Sequence, residues 1–136
     1  MGEREVVFVD ANIFLEVFLR DQNAERCKSF LRNLEENEVS AVTSDFVAYT
    51  CLIQIEYKLK SPKIMKDFLI AMDNFQIEIV RPLFYETFGA VEIGERHKLD
   101  FDDGLIISCM KSNGITKLIS LDKHFDIVQE IKRVEP

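Results

Sequence analysis

Val6-Val7-Phe8-Val9-Asp10-Ala11-Asn12 is the stretch from which the rest of the chain falls into order. Its β-branched and aromatic run reads as a buried strand that ends on an aspartate. Helical patterning follows, from about Asn12 to Arg20 and again from Gln22 to Asn37. The second stretch carries Cys27, Phe30, Leu31 and Leu34 at helical spacing with charges between them. Val39 to Val42 is the next strand. Thr43-Ser44-Asp45 then supplies a helix N-cap for an apolar helix running to about Lys60. Ser61-Pro62 ends that helix and opens another. Gln76 to Val80 is a third strand, and Leu83 to His97 is helical. So is Asp102 to Asn113, stopped by Gly114. Lys117 to Ser120 forms a fourth strand, and a short helix and an extended piece, Ile131 to Val134, close the chain.

Strands alternating with helices predict an α/β fold: a three-layer sandwich with a mostly parallel sheet of four to five strands and helices on both faces. At 136 residues there is room for one ordinary core, so residues 1–136 are expected to form a single domain. Hydrophobic residues make up 47% and charged residues 30%, which argues against disorder. The most apolar stretch, Val6 to Leu19, is broken by Asp10, Asn12 and Glu16, so no membrane span is expected. Met1-Gly2-Glu3-Arg4-Glu5 lacks a leader pattern, which predicts a cytoplasmic protein. Cys27, Cys51 and Cys109 show no metal or redox spacing and read as buried free thiols. His97 and His124 read as surface residues, since each has a charged neighbour. The net charge of −7 points away from a module that holds nucleic acid by phosphate neutralisation alone. It leaves room for an enzyme whose clustered carboxylates hold cations that meet the phosphate.

In parallel α/β sheets, ligand sites form beyond the carboxyl ends of strands. Asp10 ends the first strand and Asp122 follows the fourth. Either alone reads most simply as a cap or turn residue. Both at one edge of one sheet would repel each other unless a cation joined them. A third source of charge is Asp100-Phe101-Asp102-Asp103, which opens a helix whose polar face is expected to be Gly104, Ser108, Lys111 and Ser112. Acids at a helix N-terminus are also favoured by its dipole. The inward arc falls midway between Asp102 and Asp103, and periodicity does not choose between them.

These stretches together resemble the PIN domain, the nuclease family of many prokaryotic toxin–antitoxin pairs. Val9-Asp10-Ala11-Asn12-Ile13-Phe14-Leu15 is similar to the family's first motif, a strand ending in D-x-N. Phe101-Asp102-Asp103-Gly104-Leu105-Ile106 resembles its F-x-D-A-L-I motif, with Gly104 in the usual alanine place. Ile119-Ser120-Leu121-Asp122-Lys123-His124-Phe125-Asp126 resembles the late T-x-D-x-x-F signature, with Ser120 for threonine. The resemblance implies that Asp10, Asp103 and Asp122 are catalytic, metal-holding acids. It implies that Asn12 supports Asp10 and that Ser120 fills the hydroxyl position beside Asp122. Asp102 and Asp126 are accessory candidates, although Asp126 equally fits a helix cap.

One departure stands out. The family usually places a glutamate about six residues beyond the Ser/Thr that starts the helix after the second strand. Here that count, from Ser44, lands on Thr50. Glu56 lies about 240° further round the helix and, with Lys60 at i+4, reads as a solvent ion pair. Asp45 is a first-turn acid off that face. The resemblance therefore implies a site of three principal acids and a threonine.

The implied chemistry is RNA phosphodiester hydrolysis with Mg²⁺ or Mn²⁺, which suit oxygen donors, leaving a 5′-phosphate and a 3′-hydroxyl. Lys98, Lys123 and Arg96 are candidates for holding the RNA backbone. An antitoxin that covers the acidic cleft and a homodimer are the partners implied, with no membrane. The alternatives are a noncatalytic PIN-like module that binds RNA or protein, and a haloacid-dehalogenase-like phosphatase. The phosphatase is disfavoured because Asn12 stands where a second aspartate would act. A phospho-acceptor receiver domain fits less well, because its acid pair should follow the first strand.

Overall fold

The computed structural model describes residues 4–136. The expectation about the N-terminal leader rests largely on residues 1–3, which lie outside the described residues.

Strand β1, Glu5–Val9, runs into helix α1, Ala11–Phe18, and helix α2 covers Ala24–Arg32. Strand β2, Val39–Ser44, is followed by helices α3, Asp45–Leu59, and α4, Pro62–Asn74. Strand β3, Glu78–Val80, precedes helices α5, Glu86–His97, and α6, Phe101–Ser112. Strand β4, Lys117–Ile119, a 3-10 helix at Lys123–Ile127 and strand β5, Lys132–Val134, complete the order.

All four strand pairings are parallel, and the sheet order is β3-β2-β1-β4-β5. β1 is therefore the centre, which explains why Val7, Phe8 and Val9 are at most 1% exposed. The chain steps from β1 out to β2 and β3, then returns to the other side of β1 with β4. Right-handed crossovers place the helices before and after that return on opposite faces. The reversal leaves a crevice at the carboxyl ends of β1 and β4, where parallel sheets hold their ligands. On one face, Phe68 of α4 meets Phe14 and Phe18 of α1 edge-on, with ring centroids 6.0 and 5.4 Å apart.

Several boundaries differ from the sequence reading for backbone reasons. The second helix stops at Arg32, and turns carry the chain to Glu38, whose φ of +56° no helix tolerates. Gln76 has φ of +58°, so β3 starts two residues later than its apolar pattern suggested. Lys60 and Lys98 adopt the left-handed conformation at the ends of α3 and α5, positions where glycine is more usual. Because Lys60 leaves the helix there, the ion pair expected between Glu56 and Lys60 does not form, and both residues are exposed.

The expected polar face of α6 also needs correction. Lys111 and Ser112 are exposed, but Gly104 and Ser108 are buried against α5. The two helices approach so closely there that a Cβ on Gly104 would lie 2.3 Å from the Ala90 carbonyl oxygen. Ser108 Oγ donates to the Glu86 carbonyl at 3.2 Å, which satisfies its hydroxyl inside the contact. The three cysteines are buried and free, as their spacing suggested.

Candidate active site

The site grows from the end of β1. Asp10 is 6% exposed and caps α1, with Oδ1 accepting the Ala11 N–H at 2.7 Å. Its Oδ2 accepts the Ser120 hydroxyl at 2.7 Å and the Asn12 amide at 3.2 Å. Ser120 Oγ in turn accepts the Asn12 amide at 3.1 Å and the Asp122 N–H at 3.0 Å. A hydroxyl has one proton and two lone pairs, and all three are used. Asn12 Oδ1 accepts the Leu121 N–H at 3.2 Å, closing the network between the ends of β1 and β4. Arg133, which sequence reasoning passed over, donates to the Ser120 carbonyl at 3.0 Å and holds the same corner from β5.

Asp103 reaches this corner from the first turn of α6. Its carboxylate is half-buried, and among the described residues no N–H or O–H donates to it. Burial first, then the charges of Asp102, Asp10, Asp122 and Asp100, push its pKa up to about 7. Asp10 is likewise pushed up to about 6, chiefly by burial, against the lowering effect of its Ser120 and Ala11 hydrogen bonds. Asp102 is exposed, accepts the Asp103 N–H at 3.0 Å, and adds its charge to both. The structure thus separates the two helix acids that periodicity left equivalent: Asp103 faces in and Asp102 faces out.

Asp122 caps the 3-10 helix through Oδ1, which accepts the His124 N–H at 2.9 Å and lies 2.6 Å from His124 Nδ1. Ligand atoms of Asp103, Asp122 and His124 lie within 4.8 Å of one another. His124 lies on the surface as expected, with its side chain 76% exposed, and from there its ring meets Asp122. Its spacing two residues beyond Asp122 was the available signal, and its charged neighbours obscured it. Asp122 holds the His124 pKa above the ordinary imidazole value. His97, by contrast, departs from expectation: it is half-buried, with a buried Nε2 that makes no hydrogen bond.

The remaining candidates have other partners or lie at the edge of the site. The Thr50 hydroxyl donates to the Phe46 carbonyl at 3.0 Å, within its own helix, and not to any of the acids. Asp126 engages Arg133 through both oxygens, at 2.7 and 3.3 Å, and that cation holds its pKa below the usual range. Asp45 is a first-turn acid paired with Arg81 at 3.1 Å. Lys98 and Lys123 share a shallow hollow with Asp122 and His124. The charge of Arg96 acts on Glu130 instead.

The donor set suits a hard divalent cation: converging carboxylates from three chain segments, one of them without any hydrogen-bond donor. The pKa shifts have a consequence that can be measured. A carboxyl whose folded pKa is raised stabilises the fold below its unfolded pKa, and that contribution is lost as pH rises through the folded value. In chelator, the melting temperature should therefore fall between about pH 5 and pH 8, by on the order of 5 °C. Saturating Mn²⁺ should reverse the loss at pH 8 and do little at pH 5, where protons compete for the ligands. A metal-free melting temperature that stays flat or rises across this window contradicts the assignment.

The PIN domain family model matches residues 7–131. No curated protein sequence matches the chain. Among solved structures, VapC20 of Mycobacterium tuberculosis, a sarcin-ricin loop cleaving toxin, superposes with a TM-score of 0.78 at 16% identity, covering 96% of this chain and 99% of that one. VapBC2 of Rickettsia felis, bound to a promoter DNA fragment, gives 0.69 at 18% identity, covering 96% and 98%. A toxin–antitoxin complex from Klebsiella pneumoniae gives 0.68 at 14% identity, covering 92% and 94%. At such identities the likeness is one of fold. Among the described residues no helix is long and apolar enough to cross a membrane. With a match that spans nearly its whole length and a parallel sheet in the order 3-2-1-4-5, this chain belongs to the PIN domain family.

Proposed function

We propose that the protein is a Mg²⁺- or Mn²⁺-dependent endoribonuclease and the toxin of a toxin–antitoxin pair, with Asp10, Asp103 and Asp122 as its metal-holding acids. The observation that carries this reading is the mutual proximity of Asp10, Asp103 and Asp122 beyond the sheet edge, with no hydrogen-bond donor to the Asp103 carboxylate and no Lys or Arg paired with it among the described residues. The Mycobacterium tuberculosis relative is a toxin that cleaves the sarcin-ricin loop, which supports RNA as the substrate class.

A bound divalent ion supplies a Lewis acid that lowers the pKa of water and screens the phosphate. The chain's own residues do the rest. Asp103 and Asp122 would hold the ion, and Asp10 would add a third carboxylate to it. Ser120 and Asn12 fix the Asp10 carboxylate, so its orientation is set before substrate arrives. Lys98 and Lys123, beside Asp122, meet the RNA backbone. Water is the nucleophile, leaving a 5′-phosphate and a 3′-hydroxyl. Incubation of structured RNA with Mn²⁺, Mg²⁺ or chelator tests the proposal: cleavage with either metal and none in chelator is expected. Cleavage that survives chelator would end the metal-dependent reading.

One observation favours the noncatalytic reading. Thr50 gives its hydroxyl to the Phe46 carbonyl, so α3 brings no fourth acid to the crevice. That reading predicts no cleavage with any divalent ion.

As partners we propose an antitoxin that covers the acidic crevice, meeting it with a basic side chain, and a second copy of this chain. Tyr49, Ile53 and Tyr57 form an exposed stripe on α3, and Phe84 and Phe88 at the start of α5 are 90% and 73% exposed. Tyr49 and Phe84 border one hollow, so the two sets are continuous. Aromatics of this size offer roughly 150 Å² each, approaching the ~800 Å² per partner of a standard interface. Phe84→Glu combined with Phe88→Glu should convert a dimer to a folded monomer in sedimentation velocity. A wild-type chain that sediments as a monomer at tens of micromolar refutes the dimer.

A further inference from the structure

We propose that His124 is a nitrogen ligand of the cation assigned above to Asp103 and Asp122, and that it biases the site toward Mn²⁺ over Mg²⁺. The inference rests on reading the crevice as a metal centre. Its geometry is that of adjoining ligands. Nδ1 of His124 lies 2.6 Å from Asp122 Oδ1, and an Asp103 oxygen completes a triangle whose atoms are all within 4.8 Å of one another. Ions with bond lengths of about 2.1 Å separate neighbouring ligands by roughly 3 Å and opposite ones by roughly 4 Å. The three atoms are therefore close enough to one another to be ligands of a single ion.

The backbone that carries the ring is held in place, and the ring itself is tied to Asp122. The next residue, Phe125, is fully buried and pins the 3-10 helix to the core. The backbone N–H of His124 donates to the same Asp122 oxygen that the ring approaches. A histidine 76% exposed packs no core, so its placement against the two acids is not a by-product of burial.

Mg²⁺ keeps its water and prefers oxygen, whereas imidazole nitrogen suits first-row transition ions. Coordination through Nδ1 releases to solvent the proton shared with Asp122, leaving a neutral imidazole and an Asp122 carboxylate turned to the ion. The alternative is that His124 only positions Asp122 through their hydrogen bond. His124→Gln preserves a donor there and separates the two.

The full chain is loaded with less than one equivalent of Mn²⁺ and its pulsed EPR spectrum read for coupling to ¹⁴N. The sequence holds two histidines, and the other, His97, ends α5. Imidazole coupling is expected in the wild type and in His97→Ala, and is lost in His124→Ala and His124→Gln. Mn²⁺ affinity should fall about tenfold or more in both His124 variants. Mg²⁺ affinity should change by less than about twofold. Mn²⁺ bound without imidazole coupling, or full Mn²⁺ affinity in His124→Gln, overturns the proposal and leaves the carboxylate site standing. A wild type that takes up no Mn²⁺ removes the metal centre itself, and the proposal with it.

Discussion

Asp103→Asn is expected to lower metal-dependent RNA cleavage by about a thousandfold while raising the melting temperature of the metal-free protein at pH 8. The two effects have one cause. Asp103 is half-buried among Asp102, Asp10, Asp122 and Asp100, and no donor in the described chain relieves it. At pH 8 its charge destabilises the fold unless a cation is present, and the neutral amide removes that cost. The same amide is a poor ligand, so the ion and the activity are lost. Most site substitutions lose both stability and activity through structural damage. Here opposite signs are expected, because Asp103 makes no hydrogen bond on which the fold depends. Asp10→Asn should behave differently. Its carboxylate caps α1 and accepts from Ser120 and Asn12, so stability is expected to gain less from it. Parallel single-turnover assays and thermal melts in chelator measure both quantities on the same samples. Asp103→Asn with wild-type activity would remove that residue from the mechanism.

Gly104→Ala should destabilise the protein by about 2–3 kcal/mol, although alanine is the better helix former by ~1 kcal/mol. An added Cβ would lie 2.3 Å from the Ala90 carbonyl oxygen and 3.4 Å from the Gly94 nitrogen. Both are backbone atoms of α5, so no side-chain rotation relieves the clash and the helices must separate. Separation would also tilt the first turn of α6, which carries Asp103. Mn²⁺ affinity should therefore weaken along with stability. Urea unfolding measures the first effect, and a stabilised Gly104→Ala would show that the helices have room.

The legible parts of the sequence were those where one local pattern has one physical meaning. Val6 to Val9 reads as a buried strand, which holds for Val7, Phe8 and Val9 while Val6 is 45% exposed, and Asp10 after it fell at the sheet edge where parallel strands present ligands. The alternation of strands and helices gave the parallel sheet, and β1 at its centre follows from that uninterrupted apolar run. What periodicity missed depends on contacts between distant segments. Gly104 and Ser108 look solvent-facing on a helical wheel, yet they form the closest part of the α5–α6 contact. Asp102 and Asp103 sit symmetrically about the inward arc, and the direction of α6 relative to Asp10 separates them. His124 carries charged neighbours that mark a surface, but the cap at Asp122 folds its ring back onto the acids. The left-handed residues Glu38 and Gln76, which set the starts of β2 and β3, belong to types that seldom adopt that conformation and so gave no warning.

Calorimetric titration with Mn²⁺ at pH 8, comparing the wild type with Asp103→Asn and Asp122→Asn, probes most directly whether acids far apart in the chain share one ion. Binding in the wild type, and its loss by at least about tenfold in each single variant, is the predicted result. Undiminished binding in either variant would mean that these carboxylates do not share an ion, and the proposed nuclease centre would fall.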